Sequence, residues 1–140
     1  MTLYVVDASV GLKWFLPEIH STAAGKLHNP DFQLHVPGLF DVEMGNILWK
    51  KMRRGELSRA ETDAILAQLP LLPVVRHADA PLVPAAVDMA EKTQRTVYDC
   101  LYLVLARQIG GQMVTADEHL FNSLSGTPWE TSVLWIENVQ

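Results

Sequence analysis

The stretch LYVVDASV, residues 3–10, places an apolar, strand-forming run directly before a carboxylate, Asp7. A second stretch, QMVTADEHLF, residues 112–121, repeats this arrangement at Asp117. Nearly continuous apolar runs of this kind are typical of strands covered on both faces of a parallel sheet. A single Asp after a strand is usually a turn residue or a helix cap. Two such strands, in a chain with further acids on apolar helix faces, indicate a functional site.

The composition predicts one well-packed domain, which we place at residues 1–140. A chain of 140 residues has the size of a single domain, and 49% of it is hydrophobic. The net charge of −5 argues against a protein that binds nucleic acid through bulk positive charge. It leaves open an enzyme that holds cations over a carboxylate cluster.

Cysteine usage and hydropathy predict a soluble, cytoplasmic protein. The chain has one cysteine, Cys100, which excludes an intramolecular disulfide and a cysteine-cluster metal site. The simplest interpretation is that the protein resides in a reducing compartment. The first residues have no basic region, and Asp7 interrupts their apolar run, so no signal peptide is expected. No apolar run approaches the roughly 20 residues of a membrane-spanning helix.

Alternating patterns predict an α/β fold, in which a parallel β-sheet is sandwiched between helices as three α/β/α layers. The expected strands are 3–7, 33–36, 72–75, 112–115 and 133–136. The expected helices are 9–16 capped by Ser9, 18–28, 37–55, 58–69 with a capping box, 82–95, 98–110 and 118–124. In such sheets ligands bind beyond the carboxyl ends of the strands, where Asp7 and Asp117 lie. If their strands are neighbours, both acids come within reach of one ion.

Two further acids lie on apolar helix faces. Leu39, Glu43 and Ile47 recur at helical spacing, which predicts that Glu43 is carried inward, with Asn46 pointing the same way. Asp99 begins a similar stripe at the start of the sixth helix.

Each acid also has an ordinary structural explanation. Asp7 and Asp117 can cap the helices that follow them, Asp99 can complement a helix dipole, and Glu43 can pair with Lys50 or another neighbour. Four buried carboxylates with few cations nearby would repel one another and raise their pKa values. A hard divalent ion such as Mg²⁺ or Mn²⁺ would relieve this repulsion, whereas no His or Cys spacing favours zinc.

The ordered motifs identify a family resemblance. VVDASV (5–10), EMGN (43–46), YDCLYLVLA (98–106) and VTADEHLF (114–121) resemble, in this order, the motifs of PIN-domain (PilT N-terminus) ribonucleases. The longer opening VVDASVGLKWFLPE (5–18) is similar to that of VapC-type toxins of type II toxin–antitoxin systems. The resemblance covers essentially the whole chain and implies a PIN-like parallel sheet.

The resemblance implies that RNA phosphodiesters are hydrolysed with a bound Mg²⁺ or Mn²⁺ ion. The implied catalytic and metal-binding acids are Asp7, Asp99 and Asp117, with Glu43 completing the site or orienting a water. Polar neighbours implied to orient these carboxylates are Ser9, Asn46 and Thr115. Residues that could contact RNA phosphates are Lys50, Lys51, Arg53, Arg54 and, less directly, Lys13. The alternative for the basic residues is a solvated helix end.

The resemblance also implies partners: an RNA substrate, a cognate antitoxin protein and a second copy of the chain in a homodimer. Trp14, Phe15, Leu16 and Trp49 are either core residues or part of the surface that holds a partner. Three alternatives remain: a housekeeping RNA-processing PIN nuclease, a catalytically silent PIN-fold binding module, and a haloacid-dehalogenase-type phosphatase. The last is disfavoured because Ser9 stands where such enzymes carry a second Asp.

Overall fold

The structure, a computed structural model, describes residues 1–140 and contains one five-stranded sheet in which every strand pair is parallel. The strands are β1 (Thr2–Val6), β2 (Phe32–Pro37), β3 (Val74–His77), β4 (Gln112–Thr115) and β5 (Val133–Trp135). Their spatial order is β3-β2-β1-β4-β5. All five predicted strands are present. The third begins at Val74, two residues later than expected, and follows a 3₁₀ turn over residues 69–71.

Helices flank the sheet, which confirms the α/β/α class. They are α1 (Ala8–Gly11), α2 (Ser21–Gly25), α3 (Leu39–Arg53), α4 (Arg59–Gln68), α5 (Val83–Thr93), α6 (Val97–Ile109) and α7 (Glu118–Ser123). Helix α6 packs on β1, β2 and β4, and α5 packs on α6. Helix α6 is covered by the sheet on one side and by α5 on its other side, so residues 100–106 are all buried. This central position fixes the orientation of Asp99 at its first turn.

The first helix differs from the expectation. Asp7, not Ser9, caps α1, since its carboxylate accepts the backbone N–H of Val10. Helix α1 ends at Gly11 and continues as a 3₁₀ turn over Leu12–Trp14. A Cβ at Gly11 would lie 2.7 Å from the Phe40 ring, so only glycine lets α1 approach α3 this closely.

The face that α3 buries also differs from the expectation. Phe40, Met44 and Leu48 are fully buried, one residue along from the predicted row of Leu39, Glu43 and Ile47. The predicted row is half-buried and lies beside the buried face of α3. The fully buried positions are Phe40 and the residues four and eight positions after it. Glu43 is therefore at the edge of the core, and Asn46 is exposed.

The buried hydrophobic residues form one continuous cluster of 34 side chains. Trp14, Phe15 and Leu16 pack against it, as the core interpretation predicted, whereas Trp49 is 48% exposed. No helix is both long enough and apolar enough to span a bilayer.

Candidate active site

The carboxyl ends of the two central strands bring Asp7 and Thr115 together. Strands β1 and β4 are direct neighbours, with Val6 opposite Val114, so the next residue of each strand falls at the same edge. The Thr115 hydroxyl donates a 2.6 Å hydrogen bond to Asp7 Oδ2. Thr115 is fully buried and Asp7 is 7% exposed. The condition stated for a shared site, that these two strands are neighbours, is therefore met.

The Asp7 carboxylate is held by donors from its own helix as well. Its Oδ1 accepts the Ser9 hydroxyl at 2.5 Å and the Val10 N–H at 3.1 Å. These hydrogen bonds favour the charged form, but burial outweighs them and, with the nearby Glu43 charge, raises the pKa of Asp7 to about 6. Asp7 is thus a buried carboxylate without a cationic partner that still holds its proton in mildly acidic solution.

Asp117 is tied to the same cluster through hydroxyl groups. Its backbone N–H donates to Thr115 Oγ1 at 3.0 Å, and the N–H of Ala116 donates to Ser9 Oγ at 3.2 Å. Its side chain caps α7 by accepting the Leu120 N–H at 3.0 Å. Asp7 and Asp117 therefore both cap helices. Both also remain at the carboxyl-end edge of the sheet, where β1 and β4 end side by side.

Glu43 reaches the site from α3 and is held by a tyrosine on α6. The Tyr102 hydroxyl donates a 2.6 Å hydrogen bond to Glu43 Oε1. Burial and the negative charge of Asp99 raise the pKa of Glu43, and burial together with Glu43 raises the pKa of Tyr102. Since the charge of Glu43 also raises the pKa of Asp7, the three acids Asp7, Glu43 and Asp99 share one region of negative potential.

Asp99 lies in the first turn of α6 and is the one acid of the four that has a cationic partner. Its backbone N–H is capped by Thr96 Oγ1 at 3.1 Å, and its Oδ2 accepts Arg95 Nη2 at 3.1 Å. Only Asp99 of the four acids has a cationic partner, which agrees with the expectation that few cations lie close enough to pair with them.

No group of three or more His, Cys, Asp or Glu side chains stands in position to hold a metal ion. Each carboxylate is instead turned to its own donor: hydroxyls for Asp7, Tyr102 for Glu43, Arg95 for Asp99 and a backbone N–H for Asp117. The donor set is nevertheless chemically suited to Mg²⁺ or Mn²⁺, because it consists of carboxylate oxygens whose mutual repulsion a hard cation would relieve.

The predicted basic cluster is partly occupied by internal ion pairs. Lys13 and Lys51 both pair with Glu18, at 3.3 and 3.4 Å. Arg53 lies 4.7 Å over the Trp49 ring. Lys50 and Arg54 are exposed and enter no ion pair in the structure. Asn46 forms no side-chain hydrogen bond with any of the four acids.

Two residues of this site were not among the sequence candidates, Tyr102 and Arg95. Tyr102 lies three positions after Asp99, on the inward face that the sequence analysis described, so its spacing could have indicated it. Arg95 precedes the helix by two positions, where a sequence pattern gives no orientation. Only the turn between α5 and α6 directs its side chain to Asp99.

Tyr102→Phe is expected to lower the free energy of unfolding by about 1–2 kcal/mol at neutral pH, because the half-buried Glu43 carboxylate loses its donor. Urea denaturation measures the change. Tyr98→Phe is the matched control, since Tyr98 lies one turn earlier on the same helix and is 61% exposed. Equal stability of the two variants would show that the Tyr102 hydrogen bond contributes nothing.

Comparison with known proteins places the chain in a family. The PIN domain family model matches residues 4–126, which includes all four acids. The chain belongs to the PIN domain family. A protein of Pyrobaculum aerophilum named ribonuclease VapC3 is 37% identical over 120 residues, covering 83% of this chain and 90% of that protein.

Solved structures agree with the PIN fold. The crystal structure of PAE2754 from Pyrobaculum aerophilum has a TM-score of 0.66 and 24% identity, covering 97% of this chain and 85% of that one. A toxin–antitoxin complex from Klebsiella pneumoniae has a TM-score of 0.57 and 11% identity, covering 96% of each chain. At these identities the two structures support the PIN fold alone.

Proposed function

We propose that this PIN domain, residues 1–140, is a metal-dependent endoribonuclease and the toxin of a toxin–antitoxin pair. The observation that carries the proposal is the buried, hydroxyl-held Asp7 carboxylate in the electrostatic field of Glu43 and Asp99. A family member 37% identical is named a ribonuclease. Asp7 and Glu43 lie in each other's electrostatic field without a cationic partner, which is energetically costly, so their presence in a PIN domain supports a cation-binding role.

Asp7, Asp99 and Asp117 would hold a divalent cation, with Glu43 completing the set. When bound, Mg²⁺ or Mn²⁺ lowers the pKa of a water and offsets the charge on the scissile phosphate. Ser9 and Thr115 orient Asp7 by donating to different oxygens of its carboxylate, and Tyr102 does the same for Glu43. Asn46, exposed one turn along α3, is positioned for contact with RNA or solvent rather than with the buried acids.

Arginine and lysine side chains at the end of α3 would contact the RNA backbone. Lys50, Arg53 and Arg54 are exposed, and Lys51 could exchange its partners Glu18 and Glu56 for phosphate. Lys13 is a weaker candidate, since its side chain is 8% exposed and paired with Glu18. These contacts would position RNA without selecting its sequence.

The proposed partners are a cognate antitoxin protein, a second copy of the chain and cytoplasmic RNA. A chain of the same fold has been solved in a toxin–antitoxin complex, which supports the antitoxin. Exposed apolar residues offer surface for protein partners: Ile19, Val42, Trp49, Val83 and Val87.

The test of the proposed chemistry is RNA cleavage by the purified chain with and without divalent cation. We expect cleavage with Mg²⁺ or Mn²⁺, complete loss on adding EDTA, and recovery when excess cation is restored. The products are expected to carry a 5′-phosphate and a 3′-hydroxyl, which end-labelling distinguishes. Cleavage that continues in EDTA would refute the metal-dependent mechanism. Absence of both cation binding and cleavage would favour a catalytically silent binding module.

A further inference from the structure

Arg95 is held in a fixed position beside the acidic site. Helix α5 ends at Thr93, and the next residue, Gln94, has a left-handed backbone, φ 61°, that turns the chain sharply into Arg95. The Arg95 N–H donates to Thr93 Oγ1 at 3.2 Å, which anchors the turn from the other side. The Arg95 side chain is only 17% exposed and reaches Asp99 Oδ2 through Nη2 at 3.1 Å. This guanidinium is therefore part of the interior of the site and not a solvated surface charge.

The guanidinium of Arg95 has donors that the protein does not use. Its Nε is buried and is the one buried side-chain nitrogen or oxygen in the structure with no hydrogen-bond partner. A guanidinium presents five N–H donors in a planar fork, and its geometry matches the paired oxygens of carboxylates and phosphates. A buried donor without an acceptor is costly, so this arrangement favours an acceptor that arrives from outside the chain.

Charge also distinguishes Arg95 from the other cations. The remaining ion pairs of the structure engage acids outside the site: Glu18, Glu56, Asp41, Asp63, Asp88 and Glu137. Arg95 alone pairs with one of the four site acids. It thereby offsets part of the repulsion that Asp99 exerts on Glu43.

We propose that Arg95 is an internal counter-ion that competes with the divalent cation for Asp99 and, once displaced, donates to a phosphate of the RNA. The inference rests on the proposed cation-dependent function. In the absence of cation, the guanidinium neutralises Asp99. A divalent cation held by Asp99 would compete with the guanidinium for that carboxylate, and the freed guanidinium would then donate to a phosphate of the bound RNA.

The first experiment measures Mn²⁺ binding by calorimetry without RNA, so that it does not depend on activity. Arg95→Gln removes the competing charge and is expected to bind Mn²⁺ about tenfold more tightly than the wild type. Arg95→Lys keeps the charge and is expected to stay within about twofold of the wild type. Arg59→Gln is the matched control, because Arg59 also pairs with an acid four residues on, Asp63, outside the site. It should leave Mn²⁺ binding unchanged.

The second experiment measures RNA cleavage at saturating Mn²⁺. Arg95→Gln is expected to raise KM for RNA about tenfold with little change in kcat, since a phosphate contact is lost. Arg95→Lys should raise KM about threefold, because an ammonium lacks the planar fork. An unchanged KM in both variants would overturn the phosphate contact, and an unchanged KM in Arg95→Lys would do so if Arg95→Gln fails to fold.

The outcomes separate this inference from the proposed function. Wild-type protein that binds no Mn²⁺ would overturn the cation site and the role of Arg95 with it. Wild-type protein that binds Mn²⁺ and cleaves RNA, beside an Arg95→Gln variant with the same Mn²⁺ affinity, would overturn the role of Arg95 alone. A purely structural ion pair would lower thermal stability in both Arg95 variants without moving the Mn²⁺ affinity.

Discussion

Asp7→Asn is expected to reduce cation-dependent RNA cleavage by roughly a thousandfold, because a neutral amide cannot hold the cation that the carboxylates share. In cells, expression of the wild-type chain should arrest growth, and the variant should not. The exposed Asp63→Asn is the matched control and should retain full activity. Near-normal cleavage by Asp7→Asn would remove Asp7 from the mechanism.

The same substitution is expected to stabilise the metal-free fold at pH 7.5. Asp7 has a pKa of about 6 in the folded protein against 3.8 in the unfolded chain, so the folded state binds the proton more tightly. Its contribution to stability is therefore fully present below about pH 4 and is lost as the pH rises through 6. Above pH 6 the burial of the charge costs about 3 kcal/mol.

An asparagine removes this cost but leaves the Thr115 hydroxyl hydrogen without its acceptor, which costs about 1 kcal/mol. The net expectation is a gain of about 1–2 kcal/mol at pH 7.5 and little or no gain at pH 4. Urea denaturation at both pH values, without divalent cation, measures the difference. A variant less stable than the wild type at pH 7.5 would contradict the assigned cost of burying the Asp7 charge.

Gly111→Ala is expected to destabilise the protein by about 2–3 kcal/mol, because the added methyl group would overlap the backbone carbonyl of Leu3. The carbonyl belongs to the central strand β1 and cannot move without disturbing the pairing of Tyr4 with Gln112. Any shift of β4 also separates Thr115 from Asp7. We therefore expect a loss of cleavage that accompanies the loss of stability.

Gly45→Ala is the control, and we expect it to raise the free energy of unfolding where Gly111→Ala lowers it. Gly45 lies inside α3, and a Cβ there would meet no atom within 4 Å. The substitution should stabilise the protein by about 0.5–1 kcal/mol, because alanine loses less conformational freedom in a helix. Denaturant midpoints compare the two variants directly. A stable Gly111→Ala variant would show that β1 and β4 can separate at this point.

The sheet could be predicted from the sequence because its signal is local. Apolar runs such as 3–7 and 112–115 are long enough to be buried on both faces, and turn residues bound them. The sequence also predicts the helix that carries Glu43, but the buried row of that helix starts at Phe40, one residue later than the predicted row. Periodicity alone does not distinguish a row led by Leu39 from one led by Phe40, and the close approach of the Phe40 ring to Gly11 is a tertiary contact that periodicity does not reveal.

The proposed site was predictable in its residues but less so in its contacts. The strand-end positions of Asp7 and Asp117 follow from the sheet topology. The partner of Glu43 depends on the position of Tyr102 on α6, and the partner of Asp99 depends on the turn at Gln94. Such contacts between distant segments are set by tertiary packing, and a single sequence carries no direct signal of them.

The hydrogen bond between Thr115 and Asp7 joins positions 108 residues apart. During translation, Asp7 leaves the ribosome well before its partner on β4, because 108 positions separate the two residues. A nascent chain that has not reached β4 leaves the Asp7 carboxylate without the Thr115 hydroxyl, and without Asp117 as well. The complete acidic cluster therefore exists on the ribosome only after the segment up to Asp117 has been synthesised.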